Sequence, residues 1–184
     1  MAGSLIKVDE FTVSSAVASV ILGGGSSGSS GLNASIDSTY DVYLLQQINV
    51  QPVNNNVSYR LRFTVGGTAD TSANYDRAQK IFRSDTSWNT NATTNDTKSD
   101  LEIAISNSTS GGVHSHQYIF NASNSSEFTF FTNESSRLVA GPNTLRGMQG
   151  GGCFTSTSAV DGIQLFFSSG NISAGKFVLY GLKK

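Results

Sequence analysis

Apolar and polar residues alternate with a period of two along most of this chain. The clearest stretch is VSYRLRFTV (57–65), with Val57, Tyr59, Leu61, Phe63 and Val65 on one face. Ser58, Arg60, Arg62 and Thr64 occupy the other, the pattern of a half-buried strand. TYDVYLLQQINV (39–50) places Tyr40, Val42, Leu44, Ile48 and Val50 on one side. The turn-rich QPVNNN between the two predicts that they pair as an antiparallel hairpin. At the end, Ile163, Leu165 and Phe167 share a face in one run, and Phe177 and Leu179 in the next, across a turn holding Gly170, Asn171 and Gly175. These runs predict a second antiparallel pair, lying inside one sheet and away from its edges.

Weaker signals fill the interval. LIKVDEFTV (5–13) mixes the two faces and predicts either an edge strand or an extended N-terminal arm over residues 1–13. VASVIL (17–22) follows, then GGGSSGSSG (23–31), whose composition predicts a flexible loop within the domain. NYDRAQKIFRSD (74–85) fits a strand better than a short helix, and the polar TSWNTNATTNDTKSD (86–100) predicts an exposed loop carrying Trp88. LEIAIS (101–106), HQYIF (116–120), EFTFF (127–131), LVA (138–140) and CFT (153–155) complete the series. Many short strands between Gly, Asn and Ser turns, with two prolines and no period-3.6 stretch, predict an all-β chain. The expected fold is an antiparallel β-sandwich of jelly-roll type, one domain over residues 1–184.

Composition narrows the partners. Charged residues make up 14% of the chain, against about 25% in ordinary soluble domains, and the net charge is −1. No basic stripe exists to hold a nucleic acid, and VASVIL is too short to cross a bilayer. Polarity comes from Ser, Thr, Asn and Gly, a surface that suits packing against copies of itself or other proteins. The lone Cys153 excludes an internal disulfide, and no secretory leader pattern opens the chain, so folding in a cytosol is expected. Nine N-x-S/T triplets, at Asn33, Asn56, Asn91, Asn95, Asn107, Asn121, Asn124, Asn133 and Asn171, then read as turn chemistry.

Candidate chemistry is sparse. His114 and His116 fall on one face of a strand, a geometry that presents two imidazoles to one metal. No acidic or cysteine ligand lies near them in sequence, so no metal and no cofactor is expected. Cys153 follows three glycines in MQGGGCF, where a Cys–His dyad with glycine amides as oxyanion donors is conceivable. A small buried thiol beside close-packed backbone is the commoner outcome, and no catalytic motif appears elsewhere. The chain is expected not to be an enzyme. Trp88 on its polar stretch can stack on a sugar or a partner, or tuck into the core.

Several stretches together, STYDVYLLQQINVQP, YRLRFTVGGTADTSANYD, SSEFTFFTNE, MQGGGCFT and DGIQLFFSSGNISAGKFVLYGLKK, resemble virion structural proteins of tailed bacteriophages, particularly aquatic ones. The likeness runs from Thr39 onward and is strongest in Asp161–Ile163, Phe167–Ile172 and Leu179–Gly181. It implies assembly in the host bacterial cytoplasm and residence in the virion. The implied role is a capsid decoration (cement) protein, a homotrimer that binds the major capsid protein on the outer head. The alternative is a tail fibre or receptor-binding protein that recognises host surface glycans. Leu5, Ile6, Val8, Phe11 and Trp88 are the candidate partner contacts.

Overall fold

The computed structural model describes residues 4–24, 34–85, 87–139 and 144–183; the Gly/Ser stretch from 25 to 31 lies outside them. Within the described residues the chain forms β1 (Ser4–Thr12), β2 (Ser19–Gly23), β3 (Val42–Pro52), β4 (Val57–Val65), β5 (Thr68–Ala69) and β6 (Tyr75–Arg83). Then follow β7 (Trp88–Asp96), β8 (Ser99–Ile105), β9 (Val113–Phe120), β10 (Thr129–Leu138), β11 (Leu145–Phe154), β12 (Gly162–Phe167) and β13 (Ile172–Lys183). All pairings are antiparallel. They build an eight-stranded sheet, β1-β13-β3-β9-β10-β11-β6-β7, and a five-stranded one, β2-β12-β4-β5 with β8 also on β4. The two pack as an all-β sandwich.

The hairpins expected from sequence are instead crossings between sheets. β3 lies in the large sheet and β4 in the small one, and β12 and β13 are divided in the same way. The physical reason is two-sided burial: Tyr59 and Phe167, on the small sheet, pack ring to ring at 5.2 Å. Phe177 and Leu179 close over the same core from the large sheet. A flat hairpin would leave two such apolar faces side by side with nothing opposite. Turned across the sandwich, each covers the other, worth about 1.5–3 kcal/mol per large side chain.

The face of β3 is also opposite to expectation. Tyr43, Leu45, Gln47 and Val50 point inward, while Ile48 is exposed. Asn49, at φ 52, forms a bulge where the register with β9 shifts between Gln47 and Val50. The inserted residue returns Val50 to the core. β4 keeps its predicted face, with Val57, Tyr59, Leu61 and Phe63 buried, and 75–83 is a strand. The stretch read as a loop around Trp88 is β7, paired to β6 from Tyr75↔Asp96 to Phe82↔Trp88. Its Asn and Thr side chains suit an edge strand exposed on both sides, which hydropathy alone reads as a loop. Neither Leu138–Val139 nor CFT is a separate strand: Leu138 ends β10, Val139 makes a single bridge to Ile105, Ala140 lies outside the described residues, and CF ends β11, whose glycines lie inside the pairing. Residues 4–12 are the edge strand of the large sheet, paired to β13, and not an arm.

Candidate interaction surface

The broad outer face of the eight-stranded sheet collects most of the residues that sequence reading singled out. On β9, alternation sends His114, His116, Tyr118 and Phe120 outward and Val113, Ser115, Gln117 and Ile119 inward. On β10, Phe130, Thr132, Glu134 and Ser136 lie outward beside them. His116 pairs in register with Glu134, and its Nε2 stands 3.3 Å from Glu134 Oε2. Both groups are well exposed, where such a pair contributes little. Among the described residues no cluster of three or more His, Cys, Asp or Glu side chains is arranged to hold a metal.

Cys153 also faces outward, in register with Phe130 on one side and Asp76 on the other. Burial, and then the Asp76 carboxylate, push its thiol upward from the usual value. It is therefore held protonated, the opposite of an activated nucleophile. Cys153 is level with Phe130 and His116 with Glu134, which separates them by about 13 Å along the strand at roughly 3.3 Å per residue. A Cys–His dyad does not form.

Beside Cys153 the face sinks into a shallow apolar trough of about 540 Å³. Ala78 and Gly151 line it together with Phe120, Phe130 and Thr93. A side chain at Gly151 would meet the Phe131 carbonyl oxygen at 2.5 Å, so glycine is required there. Toward the far edge stands Trp88, 71% exposed, with Phe82 opposite it and Lys80 Nζ 5.9 Å from its ring. Of the proposed N-terminal contacts, Leu5 and Ile6 are exposed on β1. Val8 is 5% exposed and Phe11 packs against the core, so these two serve the fold and are not free to bind a partner.

Sequence reading missed the polar interior. Gln47 on β3 donates to Gln117 Oε1 on β9 at 2.6 Å, and Gln117 donates to Asn133 Oδ1 on β10 at 2.7 Å. Asn133 donates in turn to Gln79 Oε1 on β6 at 2.7 Å and to the Leu101 carbonyl on β8 at 3.0 Å. Ser115 donates to Gln47, and Gln79 to the Asp100 carbonyl at 2.9 Å. This relay of buried amides crosses β11 at Gly150, which is in register with both Asn133 and Gln79. A Cβ on Gly150 would stand 2.3 Å from the Ala78 carbonyl oxygen, and φ there is 155°. The missing side chain lets two amides meet across two strand spacings. Every member is satisfied, which makes such a network specify one sheet alignment.

The motifs behind the resemblance also prove architectural. Asp161 accepts from Thr64 Oγ1 at 2.6 Å and from the Gly67 amide at 2.7 Å, tying the β4–β5 turn to the start of β12. A Cβ on Gly162 would stand 2.7 Å from the Leu22 carbonyl oxygen. Gly170 (φ 71°) turns beneath Asn54, and Gly181 lies under the Tyr40 ring, 2.2 Å from where a Cβ would be. Gly170 thus serves the crossing from β12 to β13, while Asp161 and Gly162 fix packing within the small sheet and Gly181 sits within the large one. No family model matches the chain, and no curated protein or solved structure matches it.

Proposed function

We propose that this protein is a non-enzymatic structural component of a tailed-phage virion, a capsid decoration protein that attaches to the outer head as a homotrimer. The observation that carries this reading is the outer face of the eight-stranded sheet, broad, with charges of both signs such as Lys80 and Glu134, and studded with Phe120, Phe130, Tyr118 and Phe82. Such a face is the chemistry of a protein contact, with aromatic anchors among polar groups. The strand order supports the jelly-roll expectation. Two interleaved quartets, β1-β13-β3-β9 and β2-β12-β4-β8, wrap around one core, widened by β5–β7 and β10–β11. A trimer engaging several capsid subunits gains affinity by multivalency, so each contact need only be weak.

One observation favours a second reading. Trp88 stands free on a strand of Asn and Thr, a flat stacking platform that fits a tail protein contacting host glycans.

The test is co-sedimentation of the purified protein with undecorated heads of the phage that encodes it, followed by heating. A contact face with charges of both signs predicts binding that changes little between low and high salt, and heads that withstand higher temperature when decorated. Heads that neither bind the protein nor gain heat resistance would end the decoration reading. Binding to host-surface polysaccharide that is lost in Trp88→Ala would establish the tail reading in its place.

A further inference from the structure

At one end of the sandwich three arginines stand in a row on adjacent strands. Arg137 on β10 is in register with Arg146 on β11, and Arg146 with Arg83 on β6. Residues in register on neighbouring strands point to the same face, and these are the continuation of the inward rows of β10, β11 and β6. The three Cα positions span two strand spacings, about 10 Å. Like charges so close repel, and the row needs compensation.

The compensation present is incomplete. Glu102 meets Arg137, with Oε1 2.8 Å from Nε, and Asp85 pairs with Arg83 at the solvent end. Among the described residues Arg146 has no carboxylate partner, and its Nε is buried without a hydrogen bond. Arg137 is only 2% exposed, yet its Nη1 and Nη2 also lack partners. Unpaired buried guanidinium nitrogens are costly, and two neighbouring arginines that both carry them define a place where negative charge is missing. Burial lowers the Arg137 pKa from its usual value; the Glu102 carboxylate opposes this, and the charges of Arg146 and Arg83 add to it more weakly. Arg146 and Arg83 are half-buried, so the row reaches solvent on their side although the orphan nitrogens themselves are enclosed.

We infer that Arg137, Arg146 and Arg83 form an anion site that takes a tetrahedral oxyanion of the phosphate class. The orphan donors lie on two guanidinium planes, which suits an ion whose oxygens point in three dimensions better than a planar carboxylate. Arg137 closes the inner end, Arg146 supplies the central donor, and Arg83 guards the entrance. The bound ion neutralises the row and locks β6, β10 and β11 together. This inference stands independently of the virion role, since it is read on the isolated protein.

The test uses the purified full chain and inorganic phosphate, titrated by calorimetry and by thermal melting against sodium chloride of equal ionic strength. Phosphate is expected to bind with a stoichiometry of one per chain and to raise the melting temperature where chloride does not. Arg146→Met keeps the aliphatic stem and removes the half-buried charge, so the variant is expected to fold and to bind phosphate at least about tenfold more weakly. Because Arg137→Met risks unfolding, Arg83→Gln serves as the second variant, expected to weaken binding less than Arg146→Met. Equal melting in phosphate and chloride, or Arg146→Met titrating like the unmodified chain, would overturn the site.

Discussion

Replacing Asn133 by Ala is the sharpest probe of how this sandwich is held together. Asn133 sits at the centre of the buried amide relay and is 1% exposed. Its loss strips the acceptor from Gln117 Nε2 and the donor from both Gln79 Oε1 and the Leu101 carbonyl. Each buried polar group left without a partner costs about 1–3 kcal/mol, so three give about 3–9 kcal/mol before relaxation. Water entering the vacated space can recover part of this, and the expected loss is about 3–5 kcal/mol. Against a typical total of about 5–15 kcal/mol, that is a large fraction. The assay is urea denaturation followed by far-UV circular dichroism. Fluorescence is a poor reporter, because the single tryptophan, Trp88, is already in solvent. A loss below about 1 kcal/mol with an unchanged urea dependence would refute the claim that the relay is a stabilising, fully satisfied network.

Glu102→Ala strands the Arg137 guanidinium in the core and should cost about 3–5 kcal/mol in the same assay; a neutral result would show that the pair is not buried as described. Leu61→Ala should cost about 2–5 kcal/mol, since its side chain is fully enclosed. Burial, with smaller effects from Asp37, pushes the Tyr43 phenol up to about 12. An unfolded chain ionises its tyrosines near pH 10, so this contribution is intact below that and declines as pH rises to about 12. At acid pH the sign reverses. Desolvation raises the Asp96 pKa, but hydrogen bonds from Lys98, Arg77 and the Thr97 amide outweigh it and hold it at about 2. Its contribution is present above about pH 4 and is lost as pH falls toward 2. A melting temperature flat across both windows would contradict these assignments.

Local alternation made the strands legible wherever one face is wholly apolar, as in β4, β12 and β13. It failed to say which sheet each strand joins. Turn residues such as those in 53–56 serve a hairpin or a crossing equally well, and only the facing of Tyr59 and Phe167 on one sheet by Phe177 and Leu179 on the other decides. The face of β3 was misread because Gln47 is an inward residue and Asn49 a bulge, so the apolar count favoured the wrong side. Of the Asn-x-Ser/Thr triplets read as turn chemistry, Asn56 and Asn121 adopt positive φ outside the strands, but Asn95 does so within β7, and Asn91 and Asn133 lie inside β7 and β10, where strand pairing and the amide relay use them; Asn33 lies outside the described residues. The arginine row and the amide relay were hidden for a common reason. Each member is a polar residue in an ordinary alternating strand, and only cross-strand register brings Arg83, Arg146 and Arg137, or Gln79, Gly150 and Asn133, into line. The nearest sequence signal was the glycine run at 150–152, which marks close backbone approach without saying what passes over it.

The central claim, that the outer sheet face docks this protein on a phage head in many copies, is tested most directly by its abundance. On the proposed reading a tailed phage encodes the chain, and quantitative mass spectrometry of that phage's purified particles gives copies per virion relative to the major capsid protein. The decoration reading predicts a number of the same order as that protein. A few copies per particle, or none, would contradict it.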